Sequence, residues 1–319
     1  MQYDGARKWK ESTVFQSAIN AALTLGSLER AAVLALILGL IACTRTDSVT
    51  SALNPSVLRI GVLPDQSRET LERRYGPLVA YIRDTLECET ELIIPGSYEE
   101  LVDAFDQGQL ELAWFGGLTF TQAESRSEAE PLVLRDIDLE FTSDFLVSSS
   151  AGGRKLKDFS GRSLAFGPRL STSGHLMPRY FWRKEGIDPE KFFSNVQYSS
   201  GHDQTANWVQ ERRVDLGVAN SVVVESMLRD GRLDPDKVRI LGRTPPYRNY
   251  VWAVPQDLDC TLRARLLDAF LALDRTVLEH ERILNALGAR AFLPASSAYY
   301  IELREASRML GLSSRKAAR

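Results

Sequence analysis

Cysteine and histidine are scarce in this 319-residue chain, which has three of each. Cys43, Cys88 and Cys260 lack metal-ligand spacing and are too few for a disulfide scaffold, so structural zinc and a small stapled fold are excluded. A surplus of positive charge is missing too. With 39 Lys and Arg against 42 Asp and Glu, the net charge is −3, which lacks the basic excess that drives nonspecific nucleic-acid binding, and no nucleic-acid partner is expected. No apolar run reaches the ~18–20 residues of a bilayer span, and no repeat or low-complexity segment occurs. What is present, 44% hydrophobic and 25% charged residues, describes a globular chain with room for about two domains at ~100–200 residues each.

The first informative stretch is AAVLALILGLIAC (31–43), preceded by Arg30. It has the length of the hydrophobic region of a secretory signal. It ends in Leu40-Ile41-Ala42-Cys43, which resembles the lipobox of bacterial lipoproteins, with small Ala42 before the cleaved bond and Cys43 as the lipidated residue. A short buried helix, or a secretory signal with an incidental cysteine, is the alternative. Residues 1–42 are thus expected to be a precursor segment and 43–57 a polar, lipid-anchored tether on the extracytoplasmic side. Residues 1–30 fit a signal poorly, which suggests that translation starts near Arg30; N-terminal sequencing of the precursor tests this.

From Leu58 onward, short apolar runs alternate with amphipathic stretches, the signature of α/β architecture with mainly parallel strands. Ten strands are expected: 58–63, 91–95, 110–115, 131–137, 144–149, 163–167, 196–199, 214–219, 238–242 and 250–255. Leu71, Tyr75, Leu78, Val79, Ile82 and Leu86 share one helical face, and Pro77 must kink that helix or sit near its start. Ser97-Tyr98-Glu99-Glu100 is a capping-box pattern that opens the helix carrying Leu101, Val102 and Phe105. Leu262, Leu266, Leu267 and Phe270 mark another helix, and a last one covers about 296–310. Cys88 and Cys260 fall near helix ends, where a small buried residue is the default. Residues 141–153, running into Gly-Gly, and 244–250 (TPPYRNY) have the look of hinges. They divide the chain into one lobe at 58–145 plus 250–319 and a second at 146–249, with two crossovers that let the lobes close on a ligand.

Chemistry concentrates at strand-to-helix turns, where α/β sheets place ligands. After the strand SLAFG, Ser171, Thr172, Ser173 and Gly174 at a helix start offer hydroxyls and unpaired backbone N–H groups together, an arrangement suited to an oxyanion; a capped polar loop is the bland alternative. In the turn Ser200-Gly201-His202-Asp203, His202 can donate to an anion while Asp203 orients its ring, although a lone histidine is more often structural. Phe115, Gly116, Gly117 and Leu118 end a strand and begin a helix, so glycine N–H groups and an aromatic wall can face the same cleft, with Phe115 alone more often core.

The strings AWFGGLTFTQA (113–123), STSGHLMPRYF (171–181) and TPPYRNYVW (244–252) make the chain resemble the phosphonate/phosphite-binding proteins of ABC importers, over Leu58 to about Leu312. The spelling is closer still to the branch described as selenate-binding. The resemblance implies a type II periplasmic-binding-protein fold that acts as a monomer, needs no cofactor or metal, and hands a small oxyanion to a permease with its ATPase. It places Ser171, Thr172, Ser173 and His202 on the anion's oxygens with Tyr98 opposite, and brings Phe115, Gly116, Asn220 and Tyr250 to the site. Phe115 stands where aminoalkylphosphonate binders carry a tyrosine, and Val222 and Tyr250 stand where they carry carboxylates for the ligand's ammonium. An amine-bearing ligand would be buried without a charge partner and is disfavoured.

Which oxyanion binds turns on protonation. Phosphorus oxyanions carry a proton near neutral pH, sulfate and selenate do not, and only the former suit a carboxylate acceptor. Asp65 and Asp203 are both candidates for that acceptor. Arg169 and Arg248 flank the motifs and read as solvated residues on a cleft rim. A hydrolase built on Ser171 or Ser173 with His202 and Asp203 lacks a nucleophile elbow and is set aside. A ligand-sensing partner of a membrane receptor would use the same fold and needs a separate signalling protein.

Overall fold

The computed structural model describes residues 57–313. The precursor segment 1–42, Cys43 and nearly all of the tether 43–57 lie outside the described residues. Six strands form one sheet: β1 (Leu58–Val62), β2 (Thr90–Ile93), β3 (Leu112–Phe115), β4 (Glu130–Arg135), β10 (Val251–Val254) and β11 (Phe292–Pro294), in the order β11-β4-β10-β3-β1-β2. Five form another: β5 (Ser143–Ser148), β6 (Ser163–Phe166), β7 (Asn195–Tyr198), β8 (Leu216–Asn220) and β9 (Val238–Arg243), in the order β7-β6-β8-β5-β9. This is the mixed α/β, two-sheet architecture that the resemblance implies. All ten expected strands occur with ends moved by at most two residues, and β11 is an addition.

The expectation of mainly parallel strands is corrected. Four pairings are parallel, β1 with β2 and β3, and β6 with β7 and β8. Five are antiparallel, because β5, β10 and β11 enter their sheets against the local direction. The middle strands of the first sheet, LAWF and VWAV, are buried along their whole length, as central strands covered on both faces must be.

Among the described residues, ten α-helices connect the strands: α1 (Arg68–Leu86), α2 (Tyr98–Asp106), α3 (Gly117–Ser127), α4 (Met177–Lys184), α5 (Pro189–Phe192), α6 (His202–Gln210), α7 (Ser221–Arg229), α8 (Cys260–Leu271), α9 (Leu278–Leu287) and α10 (Ile301–Met309). The face of α1 expected to be apolar is the one it buries, and each fully buried Leu or Ile there contributes about 1.5–3 kcal/mol. Pro77 is its tenth residue, so the helix runs through it. At α2 the side chain of Ser97 accepts from the Glu100 N–H at 3.1 Å, and the Glu100 carboxylate reaches back to the Gly96 N–H at 2.7 Å. That fixes the N-terminus where Tyr98 is the first helical residue.

The crossovers differ from expectation at one end. The first is the 3-10 turn Asp136–Glu140 with Phe141 and Thr142, because Ser143, Asp144 and Phe145 already lie in β5 of the second sheet. Gly152 and Gly153 lie in the loop between β5 and β6. The cause is a strand that begins with buried polar residues: Asp144 sits beneath Arg243, 2.8 Å away, and hydropathy does not reveal it. The second crossover runs from 244 to 250 and is zipped to the first. Phe141 and Tyr247 exchange two backbone hydrogen bonds of 2.8 and 2.9 Å, and the Asn249 N–H donates to the Asp138 carbonyl. Cys88 is half-buried, whereas Cys260, at the start of α8, is exposed rather than the buried residue expected; both are free thiols.

Candidate functional site

Six strand ends and one helix start deliver side chains to one buried place between the sheets. From the first sheet, β1 leads through Leu63 and Pro64 to Asp65, α2 opens with Tyr98, β3 leads through Gly116 into α3, and β10 is preceded by Tyr250. From the second, β6 leads into the tight turn Thr172–Leu176 that continues as α4, β7 leads to His202 at the start of α6, and β8 ends at Asn220, which caps α7. Asp65, Tyr98, Ser171, Thr172, Ser173, His202, Asn220 and Tyr250 are each at most 3% exposed.

The hydrogen bonds orient these groups with little freedom. Asn220 Oδ1 accepts from the N–H groups of Val222 (2.8 Å) and Val223 (3.1 Å), so its Nδ2 is the end that donates to Tyr250 Oη at 2.9 Å. The Tyr250 hydroxyl in turn donates to Asp65 Oδ2 at 3.0 Å. The Asn220 backbone N–H donates to His202 Nδ1 at 3.2 Å, which assigns the ring proton to Nε2; that nitrogen faces Ser171 Oγ at 3.3 Å. Ser171 Oγ also accepts from the Gly174 N–H at 2.9 Å, leaving its hydroxyl hydrogen to give. Gly174 is required there: a Cβ would lie 2.8 Å from Gly167 Cα and 2.9 Å from His202 Cε1.

Three buried polar atoms in this ring make no hydrogen bond within the protein: Asp65 Oδ1, Tyr98 Oη and Ser173 Oγ. Tyr98 adjoins Ser171 and Asp65, and Ser173 adjoins Tyr247, whose hydroxyl is already paired with Ser143 at 2.7 Å. The first N–H groups of the turn, at Thr172 and Ser173, have no intrahelical acceptor by position. Burial holds the His202 pKa below the usual histidine range, so the ring is neutral, and burial with the nearby Asp65 pushes the hydroxyls of Tyr98 and Tyr250 up. The lining is therefore neutral donors and helix starts, with one carboxylate oxygen open among them. Behind it, the rings of Trp114 and Tyr250 stack at 5.1 Å, and Arg135 lies against both, held by two 2.8 Å bonds to Asp138. Burial works against the Arg135 charge, but the Asp138 carboxylate keeps its pKa above the ordinary arginine value.

Among the described residues, hydrogen bonds run between the two halves. Leu118 N–H donates to Thr172 Oγ1 (2.8 Å), His202 N–H to the Asp65 carbonyl (3.0 Å), Asn220 Nδ2 to Tyr250 Oη, and Ser67 N–H to Asp203 Oδ2 (3.3 Å). Several expectations change accordingly. The Gly117 N–H, expected to be open, is taken by Asn249, and the Leu118 N–H goes to Thr172. Asp203 binds the N–H groups of Ser67 and Gln204 and does not orient the His202 ring; the Asn220 backbone does. Phe115 is core, edge-on to Phe105 at 5.2 Å, and Gly116 faces the Thr172 hydroxyl. His175 of the STSGH string bonds the Arg169 carbonyl at 2.7 Å, away from this ring. Arg169 is exposed and lies over the Tyr198 ring, and Arg248 is half-buried on the Leu139 carbonyl. Of the two acceptor candidates, only Asp65 is buried with a free oxygen.

Residues 60–300 match the family model described as ABC transporter, phosphonate, periplasmic substrate-binding protein. The chain belongs to that family. It is therefore the extracytoplasmic binding component of an ABC transporter of phosphonate type. The relatives include a probable ABC transporter phosphite binding protein, PhnD1, from Prochlorococcus marinus (strain MIT 9301), 31% identical over 269 residues, which cover 81% of this chain and 91% of that protein. The phosphate-import protein PhnD of Mycolicibacterium smegmatis is 24% identical over 66% of this chain and 71% of its own length. The solved structure of the Prochlorococcus PhnD1 in complex with methylphosphonate superposes with a TM-score of 0.77 at 30% identity, covering 81% of this chain and all of the other. A phosphonate-transporter binding component from Pseudomonas aeruginosa shares the fold (TM-score 0.73, 17% identity, 80% and 87% coverage). No helix among the described residues is long and apolar enough to cross a membrane.

Proposed function

We propose that the protein captures a small tetrahedral phosphorus oxyanion without an amine, such as phosphite or methylphosphonate, and hands it to an ABC permease. The observation that carries this reading is the pair of buried, unpartnered hydroxyls of Tyr98 and Ser173 around the donors Ser171, Thr172 and His202. Hydroxyls buried without partners cost stability unless a ligand pairs with them, and fixed neutral donors beside helix starts suit an anion. The methylphosphonate named with the Prochlorococcus structure supports the same class. Tyr250 acts through Asp65 rather than on the ligand, and Asn220 through Tyr250 and His202.

The Leu40-Ile41-Ala42-Cys43 motif supports a lipid tether at Cys43 on the extracytoplasmic side. Isothermal titration against phosphite, methylphosphonate, phosphate, sulfate, selenate and 2-aminoethylphosphonate tests the reading, after bound anions are removed by partial unfolding and dialysis. Binding of at least one phosphorus oxyanion is expected, and silence toward all of them overturns the proposal.

A further inference from the structure

The donors of the cleft explain why an anion enters but not which one. The unusual atom is Asp65 Oδ1, a carboxylate oxygen buried at 2% residue exposure and without a partner in a site built for anions. A bare carboxylate oxygen facing an anion's oxygen is repelled unless a proton lies between them. Its twin, Oδ2, is fixed as an acceptor: Asn220 Nδ2 donates to Tyr250, so the Tyr250 hydrogen goes to Asp65. The groups that face Asp65 from the elements around it are Tyr75 of α1, Tyr98 of α2, His202 of α6 and Tyr250 before β10, with Asp203 beside His202 and the Arg135–Asp138 pair behind Tyr250. Of these, only Arg135 is a cation, and Asp138 already pairs with it.

We infer that Asp65 is the specificity-determining residue of the cleft, whose Oδ1 accepts the hydrogen of a singly protonated oxyanion and excludes fully deprotonated ones. This rests on the oxyanion-binding reading above and narrows it. Phosphite, phosphate and alkylphosphonate monoanions carry a hydroxyl and satisfy Oδ1; sulfate and selenate at neutral pH carry none and set an oxygen against it. An ammonium group is a poor substitute, because it brings three donors to one free acceptor in a site whose other polar groups donate.

The test titrates the wild-type protein and Asp65→Asn with methylphosphonate, phosphite, sulfate, selenate and 2-aminoethylphosphonate, below and above the second ionisation of the phosphorus ligands. In the wild type, the affinity for total methylphosphonate should fall by about tenfold per pH unit above that ionisation, as required when one bound proton accompanies the ligand. Asn can place its amide on Tyr250 as an acceptor and turn its NH2 to the ligand, so Asp65→Asn should weaken phosphite and methylphosphonate by about tenfold or more, flatten the pH profile and gain sulfate and selenate. A variant that folds and keeps the wild-type selectivity and pH profile overturns the inference while leaving oxyanion capture intact. Wild-type preference for 2-aminoethylphosphonate over methylphosphonate also overturns it. Wild-type binding of selenate or sulfate with the phosphorus anions silent overturns both readings. If Asp65→Asn does not fold, the wild-type profile decides alone: an affinity that is flat or rises with pH refutes the proton-reading role.

Discussion

Ser171 and Ser173 lie two residues apart in one turn, yet their replacement by alanine should have different consequences. Ser173 Oγ is buried beside the Tyr247 hydroxyl, which already pairs with Ser143, so Ser173→Ala strands no other group in the empty molecule. Its unliganded stability should be unchanged or slightly higher, while affinity for methylphosphonate should drop by about 1.5–3 kcal/mol, the range for a hydrogen bond to a charged group, or roughly 10- to 150-fold. Ser171 Oγ has two internal duties. It caps the turn by accepting from the Gly174 N–H at 2.9 Å, a role whose loss costs about 1 kcal/mol, and it receives Nε2 of the wholly buried His202, whose stranded donor would cost about 1–3 kcal/mol. Ser171→Ala should therefore lose affinity and also about 2–3 kcal/mol of stability, a Tm decrease of roughly 3–6 °C for a chain of this size. Calorimetric titration reads the first effect and scanning calorimetry without ligand reads the second. Equal Tm values for the two variants, or wild-type affinity in Ser173→Ala, would refute the assignment of these hydroxyls.

Other substitutions probe the frame around them. Gly174→Ala sets a Cβ 2.8 Å from the Gly167 backbone, which cannot move aside like a side chain; about 1–3 kcal/mol of stability should be lost along with ligand binding, and a wild-type melting curve would show that the turn is looser than described. Thr172→Val strands the Leu118 N–H that crosses between the halves, and titration should show affinity falling by about five- to tenfold; no change would place that bond outside the bound state. Burial, outweighing Arg243, raises the Asp144 carboxyl to about 6 in the folded protein. Because the folded value lies above that of an ordinary carboxylate, the stability linked to this group is present at low pH and is lost as pH rises through about 6, by at most about 3 kcal/mol. Tm scans across that window should show the loss in the wild type and not in Asp144→Asn.

Much of this was legible in the sequence, for identifiable reasons. The strands were readable because their apolar runs are short and bounded by turn residues, and the start of α2 because Ser97 and Glu100 have the spacing a capping box needs. The hydroxyl turn was readable because three consecutive hydroxyl residues before a glycine have few uses. What escaped was relational. Asn220 looks like an ordinary helix cap, and only the fold shows that the same residue fixes the His202 tautomer with its backbone and aims Tyr250 with its side chain. Asp65 and Asp203 are equivalent as letters. One is sealed under Tyr250, while the other is taken by the N–H groups of Ser67 and Gln204. Phe115 and the glycine N–H groups of its turn were expected at the ligand because the turn has the right local form; Phe115 packs in the core, and the Gly117 N–H goes to Asn249 instead.

The atoms that would read the ligand are also atoms that hold the halves together, and this ties selectivity to closure. Asp65 receives the His202 N–H on its carbonyl and, on Oδ2, a hydroxyl aimed from the other half by Asn220. Were the halves to part, Asn220 would no longer order Tyr250, water would reach Asp65, and its free oxygen would lose the low-dielectric setting in which it is proposed to reject a wrong anion. An open cleft offering Ser171, Thr172, Ser173 and His202 would then accept sulfate and methylphosphonate with little preference. On the reading proposed above, discrimination would arise on closing: the protonated anion would supply the hydrogen that Asp65 Oδ1 lacks as the crossing bonds form. A deprotonated anion meets the carboxylate and sets its repulsion against those same bonds. Sulfate should accordingly bind the wild-type protein weakly without compacting it, and solution scattering that shows full compaction with sulfate would separate closure from selection and refute the coupling.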